Sequence, residues 1–325
     1  MISELQSGEH LDGRFNILRE IGRGGFGVVY EAMDMATGAR VAVKVPHAHI
    51  ESDAAGYSRY LRETEIAVTL DHPGILRFVR VPEADKSRPY LVAEYVEGES
   101  MAARLERGET LDVKAALAVG VALCKALEYL HRQHIVHRDL KPGNVMTGAD
   151  GSVRLMDFGL ARAGSGRRLT FVGLTSKFGT PDYMAPEQVR GQRGDERTDI
   201  YSLGAILYQM LTGHIPFEFG NEYERMNARL SGDPIAPRQW RPELSLQVEE
   251  IILRALSRHP FDRYPTAAAM KADLMCPDRV AVTGRASRLQ PTRTGRRGWR
   301  TIRIVALALA APVVLFLILF LLLKP

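Results

Sequence analysis

Apolar and polar positions alternate in three short runs near the start of the chain: FNILREIG (15–22), FGVVYEAMD (26–34) and ARVAVKVP (39–46). A period of two with β-branched residues predicts strands, and MATG between the second and third reads as a hairpin turn. The spacing then changes. Across 57–70, YSRYLRETEIAVTL, apolar Tyr60, Leu61, Ile66 and Leu70 recur at helical spacing, and the run stops at DHPG. YLVAEYVEG (90–98) reads as a further strand, after which helix-period segments dominate at 112–133, 196–212 and 245–257. A small strand-rich part followed by a larger helical one predicts two lobes with a cleft between them.

The pattern fails twice near the end. From Pro277 to Arg303 periodicity gives way to Arg, Thr, Ser and Gly, which predicts a basic linker without fixed structure. Residues 304–323, IVALALAAPVVLFLILFLLL, then carry no polar side chain, and fifteen of them are Leu, Ile, Val or Phe. Such a stretch spans about 30 Å as a helix, the thickness of a bilayer's hydrocarbon core. Its insertion is favourable by very roughly 5–9 kcal/mol before allowance for Pro312, which a spanning helix tolerates. A transmembrane helix is therefore expected. With eight arginines before the span and only Lys324 after it, the N-terminal side should be cytoplasmic and the C-terminus outside. Trp299 stands where an interfacial anchor would, and no sensor domain is expected beyond Pro325. The arginines either attract anionic lipid headgroups or only set the topology.

Charge sharpens this division. The formal net charge is +5, yet residues 279–325 hold eight Arg and Lys324 with no acid, which leaves 34 Lys and Arg against 38 acids elsewhere. The folded part is thus mildly acidic, which argues against a nucleic-acid partner. Hydrophobic residues at 46% and charged residues at 25% are ordinary for a globular core. Two distant cysteines, Cys124 and Cys276, exclude a disulfide framework or a cysteine zinc cage. Residues 1–14 contain Glu4, Glu9 and Asp12 and no apolar stretch, so they are an N-terminal extension and not a signal peptide.

Chemistry-bearing residues fall at recognisable places. Gly22, Gly24 and Gly27 form GxGxxG, a pattern shared with dinucleotide-binding turns, but those lead into a helix, whereas here VVYEAMD continues as strand. A glycine-rich hairpin lying over phosphates fits better, since backbone N–H groups approach anionic oxygens where no Cβ intervenes. Lys44 on the next strand points into the cleft and needs an anionic partner, which the 57–70 helix offers as Glu63 or Glu65. HRDLKPGN (137–144) packs an acid, two cations and an amide into a loop.

With GxGxxGxV (22–29), VAVK (41–44), HRDLKPGN (137–144), DFG (157–159), GTPDYMAPE (179–187), DIYSLG (199–204) and a late Arg263, the chain from about 15 to 275 resembles a eukaryotic-type (Hanks-type) serine/threonine protein kinase. It is most similar to the membrane-anchored bacterial branch. The resemblance implies an α+β, bilobal protein kinase fold: a β-rich N-lobe (15–94) with one main helix and a helical C-lobe (97–276), followed here by the linker (277–303) and the span (304–323).

It also implies a set of roles for ATP and Mg²⁺. Asp139 would accept the substrate hydroxyl's hydrogen, Lys141 would contact the γ-phosphate, and Asn144 and Asp157 would hold Mg²⁺. Lys44, paired with Glu63 nine residues before His72, would hold the α- and β-phosphates. Thr180 would bond near Asp139 and Lys141. Ile21, Gly22, Arg23, Gly24, Gly25, Phe26, Gly27, Val29, Ala42 and Met146 would surround the nucleotide, with backbone bonds to adenine at Glu94 and Val96. Ala93 occupies the gatekeeper position, usually larger. Glu187 and Arg263 would form a buried ion pair. Arg138 before Asp139 implies activation by loop phosphorylation, with Thr175 or Ser176 favoured and Thr170 as a further candidate, through trans-autophosphorylation in a possible homodimer. Protein Ser/Thr hydroxyls would be the substrates. The alternative is a pseudokinase scaffold, disfavoured because Lys44, Asp139 and Asp157 are all present.

Overall fold

The computed structural model describes residues 4–24, 27–47, 68–156, 181–218 and 220–290. Among the described residues nine strands form two sheets. The larger runs in the order β1-β2-β3-β4-β6-β5, with β1 His10–Leu11, β2 Phe15–Gly24, β3 Gly27–Asp34, β4 Ala39–Pro46, β5 Phe78–Val79 and β6 Leu91–Glu94, every pair antiparallel. Period-two alternation explains its two faces. Val41, Val43 and Val45 are buried with Phe15, Ile17, Val28 and Val92, while Ala42 and Lys44 between them turn to the other face. Lys44 stands opposite Val29 and Leu91, and Ala42 opposite Ala93.

The hairpin of β2 and β3 closes with Gly24 opposite Gly27. Only glycine suits position 27, because a Cβ there would sit 2.2 Å from the Val45 carbonyl oxygen. The N-terminal extension is not separate from this lobe. Leu5 and Leu11 are buried in its core and β1 pairs with β2, so residues 4–11 are part of the sheet's edge.

The second lobe is helical, with α1 Met101–Glu106, α2 Val113–Arg132, α3 Pro186–Val189, α4 Glu196–Thr212, α5 Glu222–Ser231, α6 Pro237–Trp240, α7 Leu246–Ala255, α8 Ala267–Met275 and α9 Arg285–Arg288. The predicted helices at 112–133, 196–212 and 245–257 are α2, α4 and α7, each within two residues of the expected ends. Helix α4 buries residues on every side, including Leu203, Ala205, Ile206 and Leu207, which makes it the lobe's axis rather than a surface helix. Asp195 caps its first turn, and Gly213 at φ 77° ends it in the left-handed conformation. The smaller sheet, β7 Gly98–Ser100, β8 Val145–Gly148 and β9 Val153–Leu155, lies where the lobes meet. Leu76 N–H donates to the Leu155 carbonyl at 2.9 Å, and Arg154 reaches Glu94 at 3.4 Å, so β9 ties the two lobes together.

The linker prediction needs revising at its start. Residues 277–290 pack on α7: Arg285 pairs with Glu250 at 3.2 Å, Thr283 bonds the same carboxylate, and Gln290 N–H reaches Asp233 at 2.9 Å. Composition pointed to a free linker because these acids lie 35 and 57 residues away in sequence. Among the described residues no helix is long and apolar enough to cross a membrane, and 304–323 lie outside them.

Candidate active site

The loop HRDLKPGN folds as one hydrogen-bonded unit. Lys141 Nζ stands 2.7 Å from Asp139 Oδ2, and Asn144 Nδ2 donates to the Asp139 carbonyl at 2.7 Å and to Oδ2 at 3.3 Å. Asp139 and Lys141 keep about a quarter of their side-chain surface exposed, while Asn144 is buried. With its nitrogen committed to two Asp139 oxygens, Asn144 has its Oδ1 left as a hard oxygen ligand, the donor type Mg²⁺ prefers.

The loop is held from below by Asp199 on α4, which is fully buried. Its carboxylate accepts the backbone N–H of His137 at 2.9 Å, that of Arg138 at 2.8 Å, and His131 Nε2–H at 2.8 Å. Arg138 itself adopts φ 63°, a left-handed conformation unusual for a non-glycine residue, and this turns the chain between the two anchored N–H groups and Asp139. Gln188 on α3 secures the same turn by donating to the Arg138 carbonyl at 2.7 Å.

His137 carries the constraint onward. Asp139 N–H donates to its Nδ1 at 3.2 Å, so Nδ1 is the acceptor and Nε2–H donates to the Met156 carbonyl at 3.2 Å. Met156 N–H in turn reaches the Asn144 carbonyl at 2.8 Å. The residue immediately before DFG is thereby locked to both ends of the catalytic loop.

Downstream, Arg263 and Glu187 form the predicted pair, at 2.7 and 2.8 Å, both buried. Burial pushes the Glu187 carboxyl up, but the Arg263 guanidinium outweighs it and holds the group below the usual carboxylate range. Asp182 is bonded by Arg225 at 2.8 Å and Arg229 at 3.1 Å from α5, which sets the segment preceding α3.

Of the expected nucleotide contacts, Ile21, Gly22, Arg23, Gly24, Gly27 and Val29 lie on the β2–β3 hairpin, Ala42 and Lys44 on β4, Glu94 at the end of β6, Val96 just beyond it, and Met146 on β8. The Arg23 side chain is committed elsewhere, to Glu4 at 2.5 Å and Glu20 at 2.7 Å, so only its backbone remains for the site. His47 Nε2 braces the hairpin tip against the Gly24 carbonyl at 2.8 Å. Gly25, Phe26, Glu63, Asp157 and Thr180, with Thr170, Thr175 and Ser176, lie outside the described residues. Ala93 is buried between Ala42 and Phe78. Its small size should open space behind the adenine position, so Ala93→Met is expected to weaken a bulky ATP-site inhibitor by tenfold or more. Unchanged inhibitor affinity would remove the idea.

Sequence reasoning quoted DIYSLG without giving Asp199 a role, and it missed Gln188 and His137. An acid directly before the apolar run IYSLGAIL was the available signal, since a buried carboxylate requires donors.

Comparison with known proteins matches residues 15–275 to the protein kinase domain. The chain belongs to the protein kinase family. Its relatives include serine/threonine-protein kinases of bacteria. The serine/threonine-protein kinase PknB of Mycobacterium tuberculosis is 37% identical over 269 residues, 82% of this chain and 43% of that one. PrkC of Bacillus subtilis is 36% identical over 267 residues, 82% of this chain and 41% of its own. The chain thus spans about two fifths of the length of these relatives. The crystal structure of the Mycobacterium tuberculosis PknI kinase domain superimposes with a TM-score of 0.65 at 26% identity, covering 84% of this chain and all of that one.

Proposed function

We propose that the chain is a serine/threonine protein kinase that transfers the γ-phosphate of ATP to protein hydroxyls and is tethered to a membrane by 304–323. One observation carries the catalytic part: the Lys141 ammonium and the Asn144 amide both lie within hydrogen-bond reach of the Asp139 carboxylate, on a loop fixed by buried Asp199. Phosphoryl transfer asks little covalent chemistry of a protein; it asks for an aimed hydroxyl and compensation of charge. Asp139 accepts the hydroxyl hydrogen and aims its oxygen. Lys141 moves from Asp139 toward the transferring group, and Lys44 holds the remaining phosphates. Asn144 and Asp157 supply the oxygens for Mg²⁺, which when bound offsets phosphate charge. Lys141 in the loop and Thr180 in GTPDY favour Ser and Thr over Tyr as acceptors.

The tether rests on the apolar run and the arginines before it, which also suit anionic headgroups. Autophosphorylation between two copies, at Thr175, Ser176 or Thr170, would add a doubly charged group of the kind an arginine such as Arg138 holds.

The test is incubation of purified protein with Mg-ATP and a generic protein substrate, beside Lys44→Met. Phosphoserine and phosphothreonine should form, and intact mass should rise by whole phosphoryl groups in the wild type alone. No transfer, or transfer that Lys44→Met leaves unchanged, would end the catalytic reading. In cells the chain should resist salt extraction and yield to detergent; release by salt alone would end the tether.

A further inference from the structure

In the helical lobe lies a cavity of about 800 Å³, bounded by α4, α5, α7 and the 285–290 segment. Its polar wall includes Asp233 and Asp262 yet leaves buried arginine donors without acceptors. Arg229 is 1% exposed; its Nη2 bonds Asp182, but its Nε and Nη1 are buried with no hydrogen-bond partner. Arg258 donates from Nη2 to the Gly232 carbonyl at 2.6 Å and to Asp233 at 3.0 Å, while its buried Nε also has no acceptor. Buried donors of a charged group are rarely left unpaired, because each forfeits its hydration without return. Phe217 offers Arg229 only a ring face, 5.9 Å away.

Charge is not what is missing. Asp182 and Glu250 hold Arg229 and Arg285 from behind, and Asp233 holds Arg258. What the wall lacks is oxygen atoms placed to receive three N–H groups. Tyr201, Phe217 and Leu256 line the rest, giving an apolar side wide enough for an organic body.

We propose that this cavity binds the phosphate group of a small organic phosphate, its oxygens accepting from Arg229 and Arg258 and its body resting on Tyr201 and Phe217. The inference does not depend on the phosphotransfer reading. Because Arg229 also bonds Asp182, occupancy would steady the segment that leads into α3.

The test uses the full chain with its ATP site filled by a non-hydrolysable analogue and Mg²⁺, so that the glycine-rich hairpin cannot take the probe. Inorganic phosphate and phenyl phosphate are titrated at constant ionic strength against chloride, with hydrogen exchange as the readout. Saturable protection is expected at 226–234 and 253–262, and phenyl phosphate should bind more tightly than inorganic phosphate. Equal binding of the two would overturn the organic ligand. Arg229→Gln and Arg258→Gln should each weaken binding about ten- to a hundredfold. Should Arg229→Gln fail to fold, Ser231→Trp, which puts bulk into the cavity and leaves both arginines in place, should also abolish binding. Protection at the hairpin instead, no difference from chloride, or binding indifferent to Arg258→Gln and Ser231→Trp would overturn the proposal.

Discussion

Asp139→Asn is expected to lower kcat for protein phosphorylation by about 10²–10⁴-fold, the range for loss of a positioned general base. The substitution keeps the shape of the side chain and removes its ability to take a proton. Little else should change. Asn144 Nδ2 keeps its bond to the residue 139 carbonyl at 2.7 Å, and the loop remains fixed by Asp199 through His137 and Arg138. The ion pair with Lys141 disappears, but both partners are about one quarter exposed, so the loss should cost no more than about 1 kcal/mol. Stopped-flow or steady-state rates beside a thermal melt decide the matter. A variant with wild-type melting and kcat within threefold of wild type would exclude Asp139 as the base.

Arg263→Met should be the most destabilising single change outside the core, by about 3–5 kcal/mol, the usual cost of stranding one member of a buried pair. Arg263 joins three other segments to its own: it bonds both Glu187 oxygens, the Arg197 carbonyl at 2.9 Å, and the adjacent carbonyls of Ser257 at 2.8 Å and Arg258 at 3.2 Å. Thr198 Oγ1 donates to Glu187 Oε1 at 2.8 Å, so the carboxylate keeps one partner when the guanidinium is gone. Glu187→Gln combined with Arg263→Met should cost less than the two singles added together, because the second change removes the charge that the first left stranded. Additive costs in chemical denaturation would mean the pair is not coupled. The pair also sets an acid limit. Because the folded Glu187 titrates below its ordinary 4.5, its contribution is complete above that pH and fades as pH falls through the lowered value. In Arg263→Met this acid-dependent loss should vanish.

How much of this was legible beforehand follows from the range of each interaction. The alternation of Val41, Val43 and Val45 is local, so β4 and the outward placement of Lys44 could be read directly. That Asp139, Lys141 and Asn144 come together was legible because six residues of one loop, 139–144, hold all three. Asp199 was not, since its donors are 61 to 68 residues away and its importance lies in backbone N–H groups that every residue possesses. Nor was the left-handed turn at Arg138, which the hydrogen bonds impose against the residue's own preference. The packing of 277–290 on α7 depends on Glu250, an acid that reads as part of a surface helix until Arg285 and Thr283 arrive.

The place of residues 4–11 bears on how this protein should be handled. The family match begins at Phe15, and cutting there is the natural choice for a minimal fragment. That cut would strip β1 from β2, remove Leu5 and Leu11 from beneath the sheet, and release Arg23 from Glu4. A bare strand edge beside newly wetted leucine contacts invites neighbouring molecules to pair along it. A trimmed fragment should therefore clump in the tube for reasons unrelated to its chemistry, while one that keeps its first dozen residues should stay dispersed.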